Sequence, residues 1–470
     1  MEDYIVKAAN IIPSERQLKW HELKFYSFIH FGMNTMTDLE WGDGKASPEL
    51  FNPKKLDADQ WAKAIKSAGM KGIILTAKHH DGFCLWPSKY TDYSVKNSPW
   101  KHGKGDVVKE VAEACKNNGL KFGIYLSPWD RHDKTYGQGE PYNTYFKNQL
   151  RELLTNYGDI FIVWFDGACG EGENGKKQVY DWESYYEVIR ECQPNACVSI
   201  CGPDIRWCGN EAGVCRESEW NVVPAFYAQQ ERIAADSQQN VDVPPENIDH
   251  SLADIGSRDA IKGYNNLIWY PAEVDVSIRK GWFYHKEQDE TVKSLDKLLD
   301  IFYNSVGANA SLLLNVPPRA DGLMDETDVK ALKELGDELK RSFKDNLAKN
   351  AKSFSNCELD DSHCAQNILC DDKSKFWRSC EKPENTEIIV DLGKDCDIEK
   401  VVLEENLATG QQIESFSIYG EADGEWKKIF NGTIIGSCRI CFVDKIKTQK
   451  IKIKIEKTRC FATLSKLEVY

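Results

Sequence analysis

Residues 159–172 read DIFIVWFDGACGEG: six apolar or aromatic residues, Ile160 to Phe165, run into a carboxylate, Asp166, with Gly167 and Ala168 leaving space around it. A charge at the end of a segment suited to burial is a candidate nucleophile or base. Other apolar runs also stop at groups able to do chemistry. His30 closes FYSFIH. GIILTA leads to His79, His80 and Asp81 in KHHDGF, and KFGIYLS leads to Ser127, Trp129 and Asp130 in SPWD. ACVSIC is followed by CGPDIRWCGNEAGVCRESEW, which offers Glu211, Glu217 and Glu219, and NLIWYPAE by Glu273 and Asp275. The intervening loops carry Trp41, Trp86, Trp129, Trp207, Trp220 and Trp282. Aromatic rings with carboxylates and histidines suit a sugar: the apolar ring face stacks, and the hydroxyls bond to polar groups. Cleaving a glycosidic bond takes two carboxyl groups, one to attack or to activate water and one to protonate the leaving oxygen, with pKa values driven apart. Asp166 and a glutamate within 211–219 are the candidates.

Each residue also has a plainer reading. An aspartate after a strand is often a helix cap, a single histidine is usually structural, Trp61 is core, and Glu217 and Glu219 could form a solvated face. Convergence favours the chemical reading, because these groups fall at one end of several strands.

The elements that must position them follow from pattern. The seven apolar runs at 25–30, 72–77, 121–127, 159–166, 196–201, 266–273 and 311–316 are mostly continuous rather than alternating, as in strands covered on both faces. Between them lie helices with readable ends. Asp57 precedes one with Trp61, Ile65 and Ala68 on one face before Gly69. Asp106 opens another, with Val107, Val111 and Cys115 inward, that stops at Gly119. Tyr145, Phe146, Leu150, Leu153 and Leu154 form a third stripe, ending at Gly158. Strand–helix alternation with glycine stops predicts an α/β fold, a (β/α)8-type barrel, over 1–345, closed by a helix at 326–343. Beyond it the texture changes to short alternating strands, with Ile451, Ile453 and Ile455 set against Lys452, Lys454 and Glu456 and a hairpin signal at Asp423–Gly424. An antiparallel β-sandwich over 350–470 is expected. In a parallel barrel the active face lies at the strands' C-terminal ends, where the candidates fall.

Composition narrows the class. The chain of 470 residues, 41% hydrophobic and 29% charged, is globular. Its net charge of −14 disfavours nucleic acid as a partner, and no apolar run is long enough to insert in a membrane. The 16 cysteines are expected to be mostly buried thiols, and the CRIC pair Cys438 and Cys441 to lie in a strand rather than in a zinc site.

The motifs FYSFIHFGMNTMTDLEWGDG, KHHDGFCLWPSKYTDYSV, GIYLSPWDRH, FIVWFDGA, RWCGNEAG, PAEVDVSIRKGWFYH and LLLNVPPRADG, in this order, resemble the α-L-fucosidases of glycoside hydrolase family 29. The likeness is strongest to the subgroup that removes fucose α1,3- or α1,4-linked to N-acetylglucosamine in branched, Lewis-type glycans. It implies a retaining double displacement without metal or other cofactor, on a fucosylated oligosaccharide or glycoconjugate. By position Asp166 would be the nucleophile and Glu211 the acid/base, with Glu217 as the fallback. His30, Glu40, Trp41, His79, His80 and Tyr125 would hold the fucose, and Trp282 would pack on its methyl group. Glu273 and Asp275 would be weaker candidates for the branch. DLGKDCDIEKVVL and SFSIYGEADGEWKKI resemble a discoidin-like (F5/8 type C) module, which often binds sugars. Two other readings are a metal-dependent hydrolase using His30, His79, His80 and Asp166, and a non-catalytic sugar-binding barrel. Against the metal site, adjacent side chains on an extended segment point apart. The N-terminal residues lack a signal-peptide pattern; a cytoplasmic enzyme fits, as does an exported one whose leader has been removed. The oligomeric state is left open.

Overall fold

The strands of the first part of the chain are β1 (Phe25–Ile29), β2 (Gly72–Lys78), β3 (Lys121–Leu126), β4 (Ile160–Phe165), β5 (Cys197–Ile200), β6 (Arg206–Trp207), β7 (Val222–Pro224), β8 (Leu267–Trp269), β9 (Ala272–Ser277) and β10 (Ser311–Asn315) in a computed structural model that describes residues 2–237, 252–380 and 385–470. Eight of them form one sheet in the order β5-β4-β3-β2-β1-β10-β9-β6, with every neighbouring pair parallel. The two outer strands meet through one parallel bridge between Ser199 and Ile205, so the sheet closes nearly into a barrel. All positions of β1, β2 and β10 are buried, which is why these runs do not alternate. Successive side chains still go opposite ways. Tyr26, Phe28, Ile74, Tyr125, Trp164 and Leu313 form one cluster, while Phe25, Ile29, Ile73, Leu75, Ile124 and Leu314 join the larger core with the helices.

The helices keep their predicted ends. Asp57 accepts the N–H groups of Asp59 and Gln60 at 3.0 Å and opens Ala58–Ser67, on which Trp61 and Ile65 are buried. Asp106 accepts from Lys109 N and opens Val107–Asn118, which ends at Gly119 in the left-handed region (φ 69°). Glu140–Asn156 buries Phe146, Leu150, Leu153 and Leu154, and Glu326–Ser342 follows the Asp325 cap.

One strand differs from expectation. The run NLIWYPAE is not a barrel strand. Its first half is β8, which pairs antiparallel with β7 outside the barrel, and the barrel strand β9 begins only after Pro271. Glu273 and Asp275 therefore lie within a strand rather than in the loop beyond it.

The second part holds β11 (Lys352–Ser355), β12 (Trp377–Arg378), β13 (Thr386–Glu404), β14 (Ile413–Ala422), β15 (Glu425–Gly432), β16 (Arg439–Thr458), β17 (Thr463–Leu464) and β18 (Lys466–Val469). An antiparallel sheet, β11-β13-β16-β14-β15 with β18 also on β13, and the short β12–β17 pair contribute to one core. Asp423 and Gly424 both have positive φ (55° and 80°) in the two-residue turn between β14 and β15, as an Asp-Gly hairpin requires. Ile451, Ile453 and Ile455 are buried, whereas Lys452 and Lys454 are half-buried and Glu456 is exposed. Cys438 and Cys441 are buried, and Cys357 and Cys380 form the one disulfide among the described residues, in keeping with cysteines that are mostly thiols. This sheet packs on the barrel through Lys24–Glu404 and Arg258–Glu414 ion pairs and through Asn309, whose Oδ1 accepts from Ser437 N at 2.6 Å.

Candidate active site

Asp166 follows β4 directly, and Glu211 lies in the loop after β6, so both belong to the C-terminal rim of the parallel sheet. Asp166 Oδ1 accepts the Ala168 N–H at 2.8 Å, and Oδ2 accepts the Tyr125 hydroxyl at 3.0 Å. Tyr125 points up from β3, and burial together with the Asp166 charge raises its pKa well above the usual tyrosine value, so it stays a donor. His80 Nε2 stands 3.7 Å from Asp166 Oδ2. The His79 and His80 ring centroids are 4.1 Å apart, and His79 stacks on Tyr125 at 5.6 Å. The two adjacent histidines thus do not diverge as on an extended segment. β2 ends at Lys78 and the chain turns, which brings both rings into one cluster. His30 lies 5.7 Å from His79 and 5.1 Å from Trp282, centroid to centroid. Trp282 Nε1 in turn donates to Glu211 Oε2 at 3.3 Å, which completes a chain of contacts from one carboxylate to the other.

The electrostatics act on Glu211. Glu211 stays open to solvent at its edge, yet it is crowded by protein. That desolvation, less the help of the Trp282 N–H and with the charges of Asp166 and Glu40 added, pushes its pKa up to about 7. Burial lowers the pKa of His30 to about 3 and those of His79 and His80 below the ordinary histidine value, so all three are neutral at pH 7.

Glu40 and Trp41 rise on the loop after β1. Trp41, 48% exposed, meets His80 and Trp129 edge-on, each at 5.6 Å. The Glu40 carboxylate accepts from Trp282 N (3.0 Å), Phe283 N (3.2 Å) and His285 Nε2 (2.7 Å), and His285 Nδ1 contacts Asp38 Oδ1 at 2.5 Å. Glu40 therefore ties the loop after β1 to the loop after β9.

Other sequence candidates have different places. Glu219 is fully buried and paired with Arg206 and Arg216; desolvation raises its pKa, but the two guanidiniums and the Arg216 N–H outweigh this and leave it lowered. Glu217 is exposed beside the second sheet, where its carbonyl accepts from Arg439 Nη1 at 3.0 Å. Glu273, fully buried, accepts from Tyr26, Trp164 Nε1 and Ser199, so it serves the barrel interior rather than a substrate branch. Asp275 is 4% exposed and accepts from Trp207 Nε1 at 2.7 Å; burial and the nearby Glu211 raise its pKa well above the usual carboxylate range. Asp130 pairs with buried Lys78 at 2.8 Å, and Trp86 and Trp220 are core. A cavity of about 280 Å³ is lined by Asn34, Leu39, Asp43, Asp81 and Tyr93 among others. Sequence reasoning missed Asn34, Asn315 and His285. The rule that selects strand ends would have found Asn315, the last residue of β10, whereas Asn34 carried no signal.

Comparison with known proteins accords with this geometry. Residues 37–343 match the Alpha-L-fucosidase family model and 350–466 the F5/8 type C domain model. Alpha-L-fucosidase 1 of Arabidopsis thaliana is 40% identical over 466 residues, which cover 98% of this chain and 87% of that protein. Among solved structures, a Ruminococcus gnavus family 29 fucosidase in complex with fucose is 30% identical with a TM-score of 0.85, covering 98% of this chain and 95% of that one. A glycoside hydrolase 29 family member from an unknown rumen bacterium is 39% identical with a TM-score of 0.79, covering 98% and 77%. The chain therefore belongs to the α-L-fucosidases of glycoside hydrolase family 29, and it is a glycosidase with a C-terminal F5/8 type C domain.

Proposed function

We propose that this α-L-fucosidase works by retaining double displacement, with Asp166 as nucleophile and Glu211 as acid/base. The observation that carries this is the placing of both carboxylates on one rim, Asp166 after β4 and Glu211 after β6, with burial raising the Glu211 pKa so that its protonated form is favoured. In the first step an Asp166 oxygen bonds to the anomeric carbon as the bond to the aglycone oxygen breaks, and that oxygen takes the Glu211 proton. Tyr125, donating to Oδ2, holds the Asp166 carboxylate in position. The fucosyl ester is neutral, so Glu211, raised mainly by burial, loses the further contribution of the Asp166 charge. Its pKa falls, and it becomes the base that takes a proton from water as the water oxygen displaces Asp166. An aspartate-to-alanine variant of a Ruminococcus gnavus family 29 fucosidase has been solved with fucose, in keeping with an aspartate at the centre of the reaction.

His30, His79, His80 and Trp41 surround the sugar in this reading, with Trp282 against its methyl group and Glu40 holding the Trp282 loop. The substrate is fucose α1,3- or α1,4-linked in branched glycans. Support comes from the motif likeness and from the short span between His30 and Glu40.

Two experiments test this. Asp166→Ala and Glu211→Ala should each lose several orders of magnitude in kcat/KM. Azide should then give the inverted fucosyl azide with the first variant and the retained one with the second. Failure of Asp166→Ala to yield an inverted azide product would overturn the nucleophile assignment. Hydrolysis of Lewis a and Lewis x but not 2′-fucosyllactose is expected, and equal cleavage of all three would refute the linkage preference.

A further inference from the structure

Each of the three pocket histidines is gripped at Nδ1 by a partner whose other hydrogen bonds leave it only one role. Asn315 Nδ2 donates to the Trp282 carbonyl at 2.8 Å, and a carbonyl can only accept, so Oδ1 is the atom facing His30 Nδ1 at 2.9 Å. An oxygen without hydrogen can only accept, so His30 Nδ1 carries the proton. Asn34 is fixed the opposite way. Its Nδ2 donates to the Glu40 carbonyl (2.9 Å) while its Oδ1 accepts from Gly42 N (3.1 Å), so an NH2 group faces His79 Nδ1 at 3.1 Å. His79 Nδ1 must then be bare and its Nε2 protonated. Ser127 gives its hydroxyl proton to the Trp129 carbonyl at 2.6 Å, so toward His80 Nδ1, at 2.7 Å, it accepts. His80 carries its proton on Nδ1.

We infer that Asn315, Asn34 and Ser127 are positioning residues that set a fixed acceptor–donor–acceptor pattern in the sugar pocket: His30 and His80 present bare Nε2 atoms, and His79 presents an Nε2–H. The inference rests on the reading that these rings surround the fucose. The Nε2 atoms of His30 and His79 have no hydrogen-bond partner among the described residues, which leaves them for a ligand. Burial keeps the three rings neutral, so no second proton blurs the pattern. Between His80 Nε2 and Asp166 Oδ2, 3.7 Å apart, two acceptors face each other, and only a group that donates can sit with both. A hydroxyl meets all three demands because it both donates and accepts. A fluorine, an ether or a carboxylate cannot donate to His30 or His80, and an ammonium cannot accept from His79. The site thus selects neutral hydroxyls by hydrogen-bond direction as well as by shape.

The test is the two-bond ¹H–¹⁵N correlation spectrum of the full-length enzyme labelled at histidine, without ligand, at pH 7. His30 and His80 should show protonated Nδ1 and bare Nε2 shifts, and His79 the reverse. His79 protonated at Nδ1, or any of the three as imidazolium, overturns the proposal. Asn34→Asp replaces the donating NH2 with an acceptor, and His79 Nδ1 should then gain a proton; an unchanged His79 spectrum in the folded variant would refute the role of Asn34. Of the 2-, 3- and 4-fluoro analogues of fucose, at least one should inhibit about tenfold less well than fucose, and tolerance of all three refutes the donor requirement. Fucose that leaves all three rings unmoved refutes their place around the sugar, the reading beneath this one. Wrong tautomers refute only the present proposal.

Discussion

Trp282→Phe isolates one hydrogen bond to the proposed acid. The indole N–H donates to Glu211 Oε2 at 3.3 Å and stabilises the ionised carboxylate, which holds the pKa below the level that burial and the neighbouring charges would otherwise set. Removing that donor leaves the aromatic face largely in place against His30 and raises the Glu211 pKa. A hydrogen bond to a charged group contributes about 1.5–3 kcal/mol. At 3.3 Å, with the carboxylate edge open to water, the lower end or less applies, roughly 1 kcal/mol. One pKa unit corresponds to about 1.4 kcal/mol, so the expected rise is roughly half to one unit. With Glu211 as the proposed acid, activity requires it protonated. The alkaline limb of kcat/KM, near pH 7 in the parent enzyme, should therefore move to higher pH in the variant by that amount. The assay is the pH profile of kcat/KM on a fucosylated trisaccharide, whose poor leaving group keeps acid catalysis in the rate-limiting step. A shift to lower pH, or a scaled profile with no shift, would refute both the hydrogen bond and the assignment of the limb to Glu211.

Glu219→Gln breaks a fully buried ion pair with Arg206 and Arg216, and should cost about 3–5 kcal/mol in urea unfolding. Because the folded pKa of Glu219 is depressed, its contribution is complete above the ordinary glutamate value of about 4.3 and is lost as pH falls through the folded value. An unchanged stability with abolished turnover would return Glu219 to the catalytic candidates. His285 is held between Asp38 and Glu40, which raise its pKa despite burial. Its contribution should be full below about pH 6.5 and fade as pH rises through the raised folded value. The Tm deficit of His285→Gln should accordingly shrink from pH 6 to pH 9, and a constant deficit would refute the charged link. Burial and the nearby Glu211 raise the Asp275 pKa and favour its neutral form, so Asp275→Asn, which keeps an acceptor for Trp207, should leave the alkaline limb of kcat/KM in place; a limb moved by a full unit would show that Asp275 carries charge there.

How much of this was legible depended on how local each feature is. Helix ends were readable because Asp57, Asp106 and Gly119 act within one turn of their own helix. Asp166 was readable because a buried strand can end in a carboxylate only where the sheet opens. The β8–β9 region was misread because LIWY is as apolar as any barrel strand. Pro271, which lacks an N–H, separates the two strands, and the true strand AEVDVS carries two acids that look like loop residues. Those acids are tolerated because Tyr26, Trp164, Ser199 and Trp207 reach them from other strands. β6, two residues long, has no period to detect. Glu211, Glu217 and Glu219 differ only in long-range neighbours, and family likeness rather than residue type ranked them.

In the proposed mechanism, Trp282 links the residues that bind the sugar to the one that transfers the proton. Its backbone N–H is held by Glu40, its carbonyl fixes the Asn315 amide, its ring lies 5.1 Å from His30, and its Nε1–H reaches Glu211. One residue thus joins the loops after β1, β6 and β9 to the end of β10. A disturbance on the Glu40 side must displace the Glu211 donor as well, because both bonds leave the same residue. Glu40→Gln is therefore expected to raise KM and to act on the alkaline limb in two opposed ways, because loss of the Glu40 charge lowers the Glu211 pKa while a displaced Trp282 donor raises it. A limb that moves down with KM unchanged would mean that the Trp282 loop holds its place without Glu40.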